Sequence, residues 1–233
     1  MASLKFTPIL LALFVTACSG NSPTAPTPPP VVVPPVVPPP PVVSVITVSA
    51  CPDATPGLDL GFYRQMGCNA FDLPLQGVRR WAVAPKLYLR TVDEAGAPID
   101  AVTLDTVQNA MIETATQWSA GRFALTIERG TASREGQTGW VTVKWPATAD
   151  AAPACGRGQV AIDGGWIELN YKVTSCGCNG SAMRPRTARH ELGHAFGYWH
   201  TDNTTDLMSG LTTSGCDAGL SARELQAVAF QYR

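Results

Sequence analysis

The chain has 233 residues, which is enough for one domain of ordinary size with terminal extensions. Its formal net charge is only -1 and 15% of its residues are charged, which argues against a nucleic-acid surface and against a polyanionic partner. Hydrophobic residues make up 45% of the chain, and enough of them lie outside a Val/Pro-rich tract near the N-terminus to form a core. We expect a single domain that folds alone as a monomer.

Residues 1–17 predict a signal peptide for export. Lys5 supplies a positive charge, and Pro8 to Val15 form an apolar run that is too short to span a bilayer. The stretch Val15-Thr16-Ala17-Cys18 resembles the lipobox of bacterial lipoproteins, which makes Cys18 the expected lipidation site. The alternative is an ordinary signal peptide that happens to contain a cysteine. Both interpretations predict a location outside the cytoplasm.

Residues 18–44 are expected to be a linker attached to the lipid anchor. From Asn21 to Pro41 the chain is almost entirely Pro, Val, Thr and Ser, which favours extended polyproline II. About 20 such residues span roughly 60 Å. We therefore expect a domain held away from a bacterial membrane, facing the periplasm or the cell surface, with the anchor as its one contact with lipid. A disordered tail without a spacer role stays open as the alternative.

Six cysteines remain after Cys18, and an even number in an exported chain predicts up to three disulfides. The sequence does not define their pairing. A cysteine-rich zinc site is the competing interpretation, but Cys176-Gly177-Cys178 lacks the two-residue gap of a zinc knuckle. The expected disulfide cysteines are Cys51, Cys68, Cys155, Cys176, Cys178 and Cys216.

The rest of the chain divides into two segments, of which only the second has clear hydrophobic patterns. Residues 45–77 contain two cysteines, several glycines and prolines, and no sustained hydrophobic period, so we expect an irregular lead-in. Residues 78–233 are expected to form the folded domain. Its first strand is predicted within the range Trp81 to Arg90.

A helix is predicted from about Thr103 to Ala120, because apolar residues recur there at three- and four-residue steps and Gly121 follows. Its core stripe consists of Leu104, Val107, Met111, Ala115 and Trp118. Alternating apolar residues then predict strands. These strands are centred on residues 123–127, 141–145, 159–163 and 166–171, the last two joined by Gly164-Gly165.

Two helices are predicted in the C-terminal part. One begins near residues 181–184, tolerates Pro185 in its first turn and runs to Phe196. The other spans Leu220 to Gln231, with a capping box formed by Ser221 and Glu224. The residues of the second helix that we expect to face the core are Leu225, Val228 and Ala229.

The first of these helices carries two histidines on one face. His190 and His194 are four residues apart, so their imidazoles lie about one turn apart and are able to share a metal ion. A continuous helix would place His200 about 15 Å beyond His190, so the chain has to turn first. Gly197 lies between the second and third histidines and accepts the positive φ that ends helices. The spacing therefore predicts a three-histidine metal site.

Three neutral imidazoles leave one tetrahedral position on Zn²⁺ for water, which is typical of a catalytic site. Glu191 is adjacent to the first ligand and is the predicted general base for that water. The opposite helix face carries Ala188, Leu192 and Ala195, which are expected to be buried. Zn²⁺ is thus the expected cofactor.

The segment from His190 to His200 matches the pattern HExxHxxGxxH and resembles the metzincin clan of zinc peptidases. In that clan a methionine lies in a tight turn beneath the ligands, and the resemblance implies this role for Met208. It also implies an α+β, mixed α/β zincin fold. Such a fold has a twisted, mainly parallel mixed sheet with an active-site helix, a backing helix and a C-terminal helix.

Within the clan, the stretch HELGHAFG and the C-terminal helix soon after Met208 are most similar to matrixin-type enzymes. Astacin-type enzymes have a tyrosine ligand where this chain has Gly210. A matrixin-type cysteine switch is not expected, because neither Cys51-Pro52-Asp53 nor Gly67-Cys68-Asn69 matches that motif. In related enzymes the segment equivalent to Leu211 to Ser214 lines a side-chain pocket.

The resemblance implies a tethered zinc metalloendopeptidase that acts on peptide or protein substrates. Zinc would polarise the scissile carbonyl and Glu191 would deprotonate the attacking water. Two other functions stay open. One is a catalytically idle zinc-containing surface module for adhesion, which would not need a base at position 191. The other is a hydrolase of cell-wall cross-linking peptides, which would differ only in its substrate pocket.

Overall fold

Two short strands and a helix form the N-terminal part of the folded chain. The computed structural model describes residues 45–54, 56–151, 154–211 and 215–233. Strand β1 (Ile46–Ser49) pairs antiparallel with β2 (Val78–Trp81), and helix α1 (Leu60–Cys68) lies between them in sequence. The predicted signal peptide, Cys18 and the linker, residues 18–44, lie outside the described residues. No helix of the part described is long and apolar enough to cross a membrane.

The expectation of an irregular segment at residues 45–77 is wrong for β1 and α1. Asp59 caps α1 by accepting a hydrogen bond from the Phe62 N–H at 3.1 Å, and Asn69 ends it in the left-handed conformation with φ 63°. The helix has nine residues, which is too short for a clear hydrophobic period. Strand β1 has four residues and is stabilised by pairing with β2. Neither α1 nor β1 therefore has a strong signal in its own sequence.

The main sheet has five strands in the order β4-β3-β5-β7-β6. All neighbours pair in parallel except β6, which runs antiparallel to β7 at one edge. The predicted α+β fold with a mainly parallel mixed sheet is therefore confirmed. The strands are β3 (Lys86–Arg90), β4 (Thr126–Gly130), β5 (Trp140–Lys144), β6 (Gly156–Gly158) and β7 (Gly165–Leu169).

Two strand predictions need correction. The range 81–90 contains the end of β2 and the separate strand β3. The strand conformation is interrupted between them at residues 82–85, which include Pro85, a residue with no N–H to donate to a sheet. The strand predicted at 159–163 is a loop, and the edge strand is β6 instead. Strand β6 has the sequence Gly-Arg-Gly, which offers no alternation of apolar side chains and so no periodic signal.

Of three longer helices, α3 (Pro185–Phe196) packs against α2 (Ala101–Trp118) and against β6 and β7, and α4 (Ala222–Gln231) packs against α1 and α2. All five residues of the predicted stripe on α2 are buried, which confirms the backing helix. This helix begins two residues earlier than predicted, because Asp100 caps it by accepting from the Thr103 N–H at 2.8 Å.

Helix α4 has the predicted capping box but presents a different face to the core. Ser221 and Glu224 satisfy each other's backbone N–H groups, as expected. Leu225 and Ala229 are exposed, whereas only Val228 of the three predicted residues is buried. Glu224 itself is fully buried, together with Ala227, Val228 and Gln231 at helical spacing. The core face of α4 therefore contains the buried carboxylate of Glu224 and not Leu225, which the apolar pattern had predicted to lie there.

Three disulfides join the six cysteines of the folded chain. The pairs are Cys51–Cys68, Cys155–Cys176 and Cys178–Cys216. The first fixes the segment around α1, the second joins the residue before β6 to the segment that precedes α3, and the third connects the segments that precede and follow α3. The predicted disulfides are confirmed. The competing cysteine-rich zinc site is excluded for these residues, because each of the six sulfur atoms is bonded to one other in a disulfide.

We expect removal of the Cys178–Cys216 disulfide to destabilise the fold. The pair is separated by 38 residues, and closing a loop of that length lowers the entropy of the unfolded chain by an amount worth about 4 kcal/mol. Urea denaturation of the double serine variant and the wild type, both under oxidising conditions, measures the difference. An unchanged unfolding free energy would contradict the role given to this disulfide.

Candidate metal centre

Helix α3 places two histidines of the site side by side. Pro185 is its first residue, where the missing N–H has no acceptor to lose, and the helix runs to Phe196. His190 and His194 lie one turn apart, with ring centroids separated by 4.8 Å. The side of α3 that carries Ala188, Leu192 and Ala195 is buried in the core. The same helix therefore anchors the fold on one face and carries the histidines on the other.

Gly197 ends α3 and turns the chain. Its φ of 108° lies in the left-handed region, and its N–H donates to the Gly193 and His194 carbonyl oxygens. A Cβ atom at this position would overlap the Arg79 carbonyl oxygen of β2. The turn brings His200 back, so that its Nε2 atom lies 3.1 Å from His194 Nε2. Both the backbone angle and the available space thus require glycine here.

The three histidines form a compact donor set. One ring nitrogen from each of His190, His194 and His200 lies within 4.8 Å of the other two. It is the one group of three or more histidine, cysteine or acidic residues with such geometry in the part of the chain that the structure describes. The residues that the spacing predicted as ligands are therefore brought together.

Each imidazole is oriented by an acceptor on its Nδ1 atom. Carbonyl and carboxylate oxygens only accept, so each Nδ1 carries the proton and each Nε2 presents a lone pair. Such outer partners are typical of metal-ligating histidines. The pairs are His190 with the Leu207 carbonyl oxygen at 2.6 Å, His194 with the Tyr198 carbonyl oxygen at 2.8 Å, and His200 with Asp72 Oδ2 at 2.7 Å.

This tautomer assignment makes the site a good fit for a metal ion. The lone pairs on His194 Nε2 and His200 Nε2 face each other at 3.1 Å, which is repulsive unless a cation lies between them. Metal–nitrogen bonds of about 2.1 Å at tetrahedral angles separate two ligand nitrogens by roughly 3.4 Å. Burial lowers the pKa of His190 to about 4 and that of His194 well below its usual range, which keeps both imidazoles neutral.

Met208 lies directly beneath the helix that carries the histidines. Its side chain is fully buried, and a Cβ atom on Gly193 would come within 2.5 Å of its sulfur. Glu224 of α4 accepts hydrogen bonds from the Leu207 N–H at 3.0 Å and the Met208 N–H at 2.7 Å. The Leu207 carbonyl in turn accepts from His190. The turn at Met208 therefore connects the C-terminal helix to the first histidine.

Glu191 is a buried carboxylate with unused hydrogen-bonding capacity. Only 4% of its surface is exposed, and its Oε2 atom has no partner among the described residues. Burial raises its pKa to about 8. Strand β6 passes so closely that a Cβ atom on Gly156 would lie 2.6 Å from Glu191 Oε1, and one on Gly158 would lie 3.2 Å from Oε2. The site thus holds an unpaired acid beside its histidines.

A cleft of about 740 Å³ opens onto the histidines. It is lined by β6, by the histidine-bearing side of α3 and by residues 209–211. Leu211 belongs to the segment expected to line a side-chain pocket, whereas residues 212–214 lie outside the described residues. The histidines and Glu191 are thus accessible to a ligand that enters this cleft.

Two features of the site were not predicted from the sequence. Asp72 contacts His200 although the two are 128 residues apart, and no local spacing indicates such a pairing. Gly156 and Gly158 allow β6 to approach Glu191, and their alternation in Gly-Arg-Gly is the one signal that could have indicated a strand close to another element. Both features depend on contacts between distant segments.

Comparisons with known proteins find similarity among solved structures. A scan against protein-family models and a search of curated proteins both find no match. The solved structures include the crystal structure of metalloproteinase-II from Bacteroides fragilis, with a TM-score of 0.43 and 16% sequence identity. The alignment covers 71% of this chain, which spans only 65% of that protein's chain. Because this similarity is low, the chain's own residues carry its functional interpretation.

We expect Asp72→Asn to weaken metal binding about 10- to 100-fold, because His200 loses the carboxylate that fixes its orientation and raises its basicity. Competition with a chromophoric chelator measures the dissociation constant. Asp53→Asn is the matched control, since Asp53 is exposed on the same N-terminal segment and does not line the cleft. Equal metal affinity in Asp72→Asn and wild type would contradict this role.

The raised pKa of Glu191 predicts a pH-dependent stability of the metal-free protein. Its carboxyl keeps a proton in the folded state up to about pH 8, whereas the unfolded chain releases it near pH 4.5. The stability of the folded state therefore falls as pH rises between these values. Relative to wild type, Glu191→Gln should raise the unfolding free energy by up to roughly 5 kcal/mol at pH 8 and by little at pH 4.5.

Urea denaturation of both metal-free proteins at the two pH values tests this expectation. Comparing the two proteins at each pH cancels the contribution of the histidines, which they share. A stability difference that does not change with pH would show that the Glu191 carboxyl is solvated in the folded protein.

Proposed function

We propose that the protein is a zinc-dependent endopeptidase. The observation that carries this proposal is the juxtaposition of three Nε2 lone pairs with the unpaired carboxylate of Glu191 at the base of an open cleft. A closed structural metal site would use four protein ligands, whereas three leave a position for a reacting group. A binding module would have no use for a buried, unpaired acid beside the metal.

The donor set favours zinc. Three neutral imidazoles suit Zn²⁺, whereas a hard cation such as Mg²⁺ or Ca²⁺ would require oxygen ligands. His190, His194 and His200 would hold the ion. When bound, Zn²⁺ would act as a Lewis acid that polarises the carbonyl of the scissile bond and lowers the pKa of water.

Glu191 supplies the proton transfers of the proposed reaction. Its carboxylate accepts a proton from the water that attacks the scissile carbonyl carbon, and a nearby dication favours the ionised form that this step requires. The peptide C–N bond then breaks, and Glu191 donates the same proton to the leaving amine. No proton is gained or lost by the enzyme over the cycle.

The edge strand β6 offers a binding surface for an extended peptide. One edge of β6 pairs with β7, and its other edge pairs with no strand among the described residues. A peptide that adds to this edge would form backbone hydrogen bonds, as in other cases of strand addition. Because Gly156 and Gly158 have no side chains, such a peptide could lie close to Glu191.

The three disulfides fit a location outside the cytoplasm, where an oxidising environment preserves them. We further propose that Cys18 carries a lipid anchor and that residues 18–44 tether the enzyme to a bacterial membrane. The proposed substrates are peptides or proteins, and cross-linking peptides of the cell wall are the second substrate class to be tested.

We expect Glu191→Ala to lower kcat/KM for peptide cleavage about 10²- to 10⁴-fold without loss of bound zinc, because the residue moves protons and is not a ligand. The measurement uses the full mature chain, a library of capped peptides and cell-wall cross-linking peptides, together with metal analysis. Glu128→Ala is the matched control, since Glu128 is an exposed carboxylate on β4 outside the cleft.

Three outcomes separate the possibilities. Equal cleavage by wild type and Glu191→Ala would refute the proposed mechanism, and absence of bound zinc at neutral pH would refute the metal site. Zinc binding without cleavage of any peptide would instead favour the idle adhesion module.

A further inference from the structure

We propose that the cleft selects peptides with an acidic side chain beside the scissile bond, and that Arg186 binds this carboxylate. This inference rests on the proposed peptidase function and names the substrate class of the same site. It is carried by the placement of Arg186 next to the metal ligands and by the lack of any carboxylate within ion-pair distance of it among the described residues.

Arg186 shares a helix face with the first histidine. It precedes His190 by four residues on α3, so the two side chains are neighbours about one turn apart. Both residues line the cleft, and the Arg186 side chain is half-buried. Arg186 and the first histidine therefore lie on the same wall of the cleft.

The Arg186 guanidinium is held in place but its charge is not paired. One Nη2 N–H donates to the Asp206 carbonyl oxygen at 2.8 Å, which fixes the side chain without supplying a negative charge. Among the described residues no carboxylate lies within ion-pair distance of Arg186. The remaining residues of the chain contain no aspartate or glutamate. Arg186 therefore has donors to offer a ligand.

Arg189, a second arginine on α3, differs from Arg186 because it forms ion pairs. Arg189 donates to Glu113 at 2.8 Å and also pairs with Asp217, so its charge is compensated on the side of α3 away from the cleft. Arg189 does not line the cleft. Of these two arginines of α3, the one that lines the cleft is thus the one without an ion pair among the described residues.

The rest of the cleft does not offset this charge. Two carboxylates, Asp72 and Glu191, are among its described lining residues, and Asp72 is bound to His200. Arg157 also lines the cleft but is neutralised by Glu168, with an Nε to Oε1 distance of 3.1 Å. Glu224 is the acidic group that attracts Arg186, and it lies buried behind the cleft with its carboxylate bonded to the Leu207 and Met208 N–H groups. Arg186 therefore presents a positive charge to the cleft, which favours a negatively charged substrate group.

A carboxylate suits this position better than a neutral side chain. Arginine binds carboxylates in a planar, two-bond arrangement, and hydrogen bonds between two charged groups are stronger than those to an amide. A carboxylate and its amide isostere have nearly the same shape, so the two differ chiefly in charge. We expect the difference to appear as a 10- to 100-fold preference in kcat/KM.

The test compares peptide pairs that differ only by Asp against Asn, or Glu against Gln, at each position flanking the scissile bond. Both ends of every peptide are capped, so that the side chain is the one carboxylate present. Wild type should prefer the acidic peptide about 10- to 100-fold at one flanking position. Arg186→Gln should lose the preference, and Arg186→Lys should retain part of it. Wild type without a preference, or Arg186→Gln with an unchanged one, would overturn the proposal.

Arg122→Gln is the matched control, because Arg122 is exposed and does not line the cleft. It should keep the full preference of the wild type, and loss of the preference in this variant would show that net charge rather than Arg186 is responsible. Zinc content and thermal unfolding of Arg186→Gln establish that the variant is folded and loaded. Arg186→Lys preserves the charge if the glutamine variant does not fold.

A binding experiment separates this inference from the proposed function. Calorimetry with the zinc-loaded Glu191→Gln protein measures the affinity for the same acidic and amide peptides without turnover. If wild type cleaves no peptide, the peptidase proposal fails, and the affinity ratio still decides whether Arg186 selects acids. If wild type cleaves peptides with no acidic preference, the peptidase proposal stands and this inference fails.

Discussion

The candidate metal centre depends on a single backbone reversal at Gly197. Two ligands on α3 have a fixed separation, and a third ligand reaches them only if the helix stops within one turn of His194 and the chain doubles back. The left-handed φ at Gly197 makes that reversal, and the Arg79 carbonyl of β2 occupies the space that a side chain would need. The N-terminal strand pair is therefore packed against the turn on which the metal site depends.

The histidines are oriented by three separate segments, one of which is far away in sequence. His194 bonds to the chain just beyond Gly197, His190 to the turn at Met208 and His200 to Asp72 of the N-terminal segment. The turn at Met208 is itself held by Glu224, whose buried carboxylate accepts two of its N–H groups. A buried acid is costly unless it is hydrogen-bonded, so Glu224 links the position of α4 to the geometry of the site.

Local signals were sufficient for the three longer helices and for the proximity of the three histidines, but not for the surroundings of the site. The stripe on α2, the capping box of α4 and the spacing of the histidines follow from short-range periodicity, and the sequence predicted them. The N-terminal helix α1, the edge strand β6 and the partner of His200 could not be predicted in this way. They are short or rich in glycine, or they depend on contacts such as that between Asp72 and His200 across 128 residues.

The glycines of β6 explain how the site combines burial with access. Side chains at positions 156 and 158 would overlap Glu191, whereas Arg157 between them pairs with Glu168 of β7. The strand lies close to Glu191, of which only 4% is exposed, and its two glycines place no side chain between that carboxyl and the cleft. A buried acid without a partner destabilises the metal-free fold. A bound cation would relieve that cost, so the free energy lost by burying Glu191 in the metal-free protein would be regained when a metal binds.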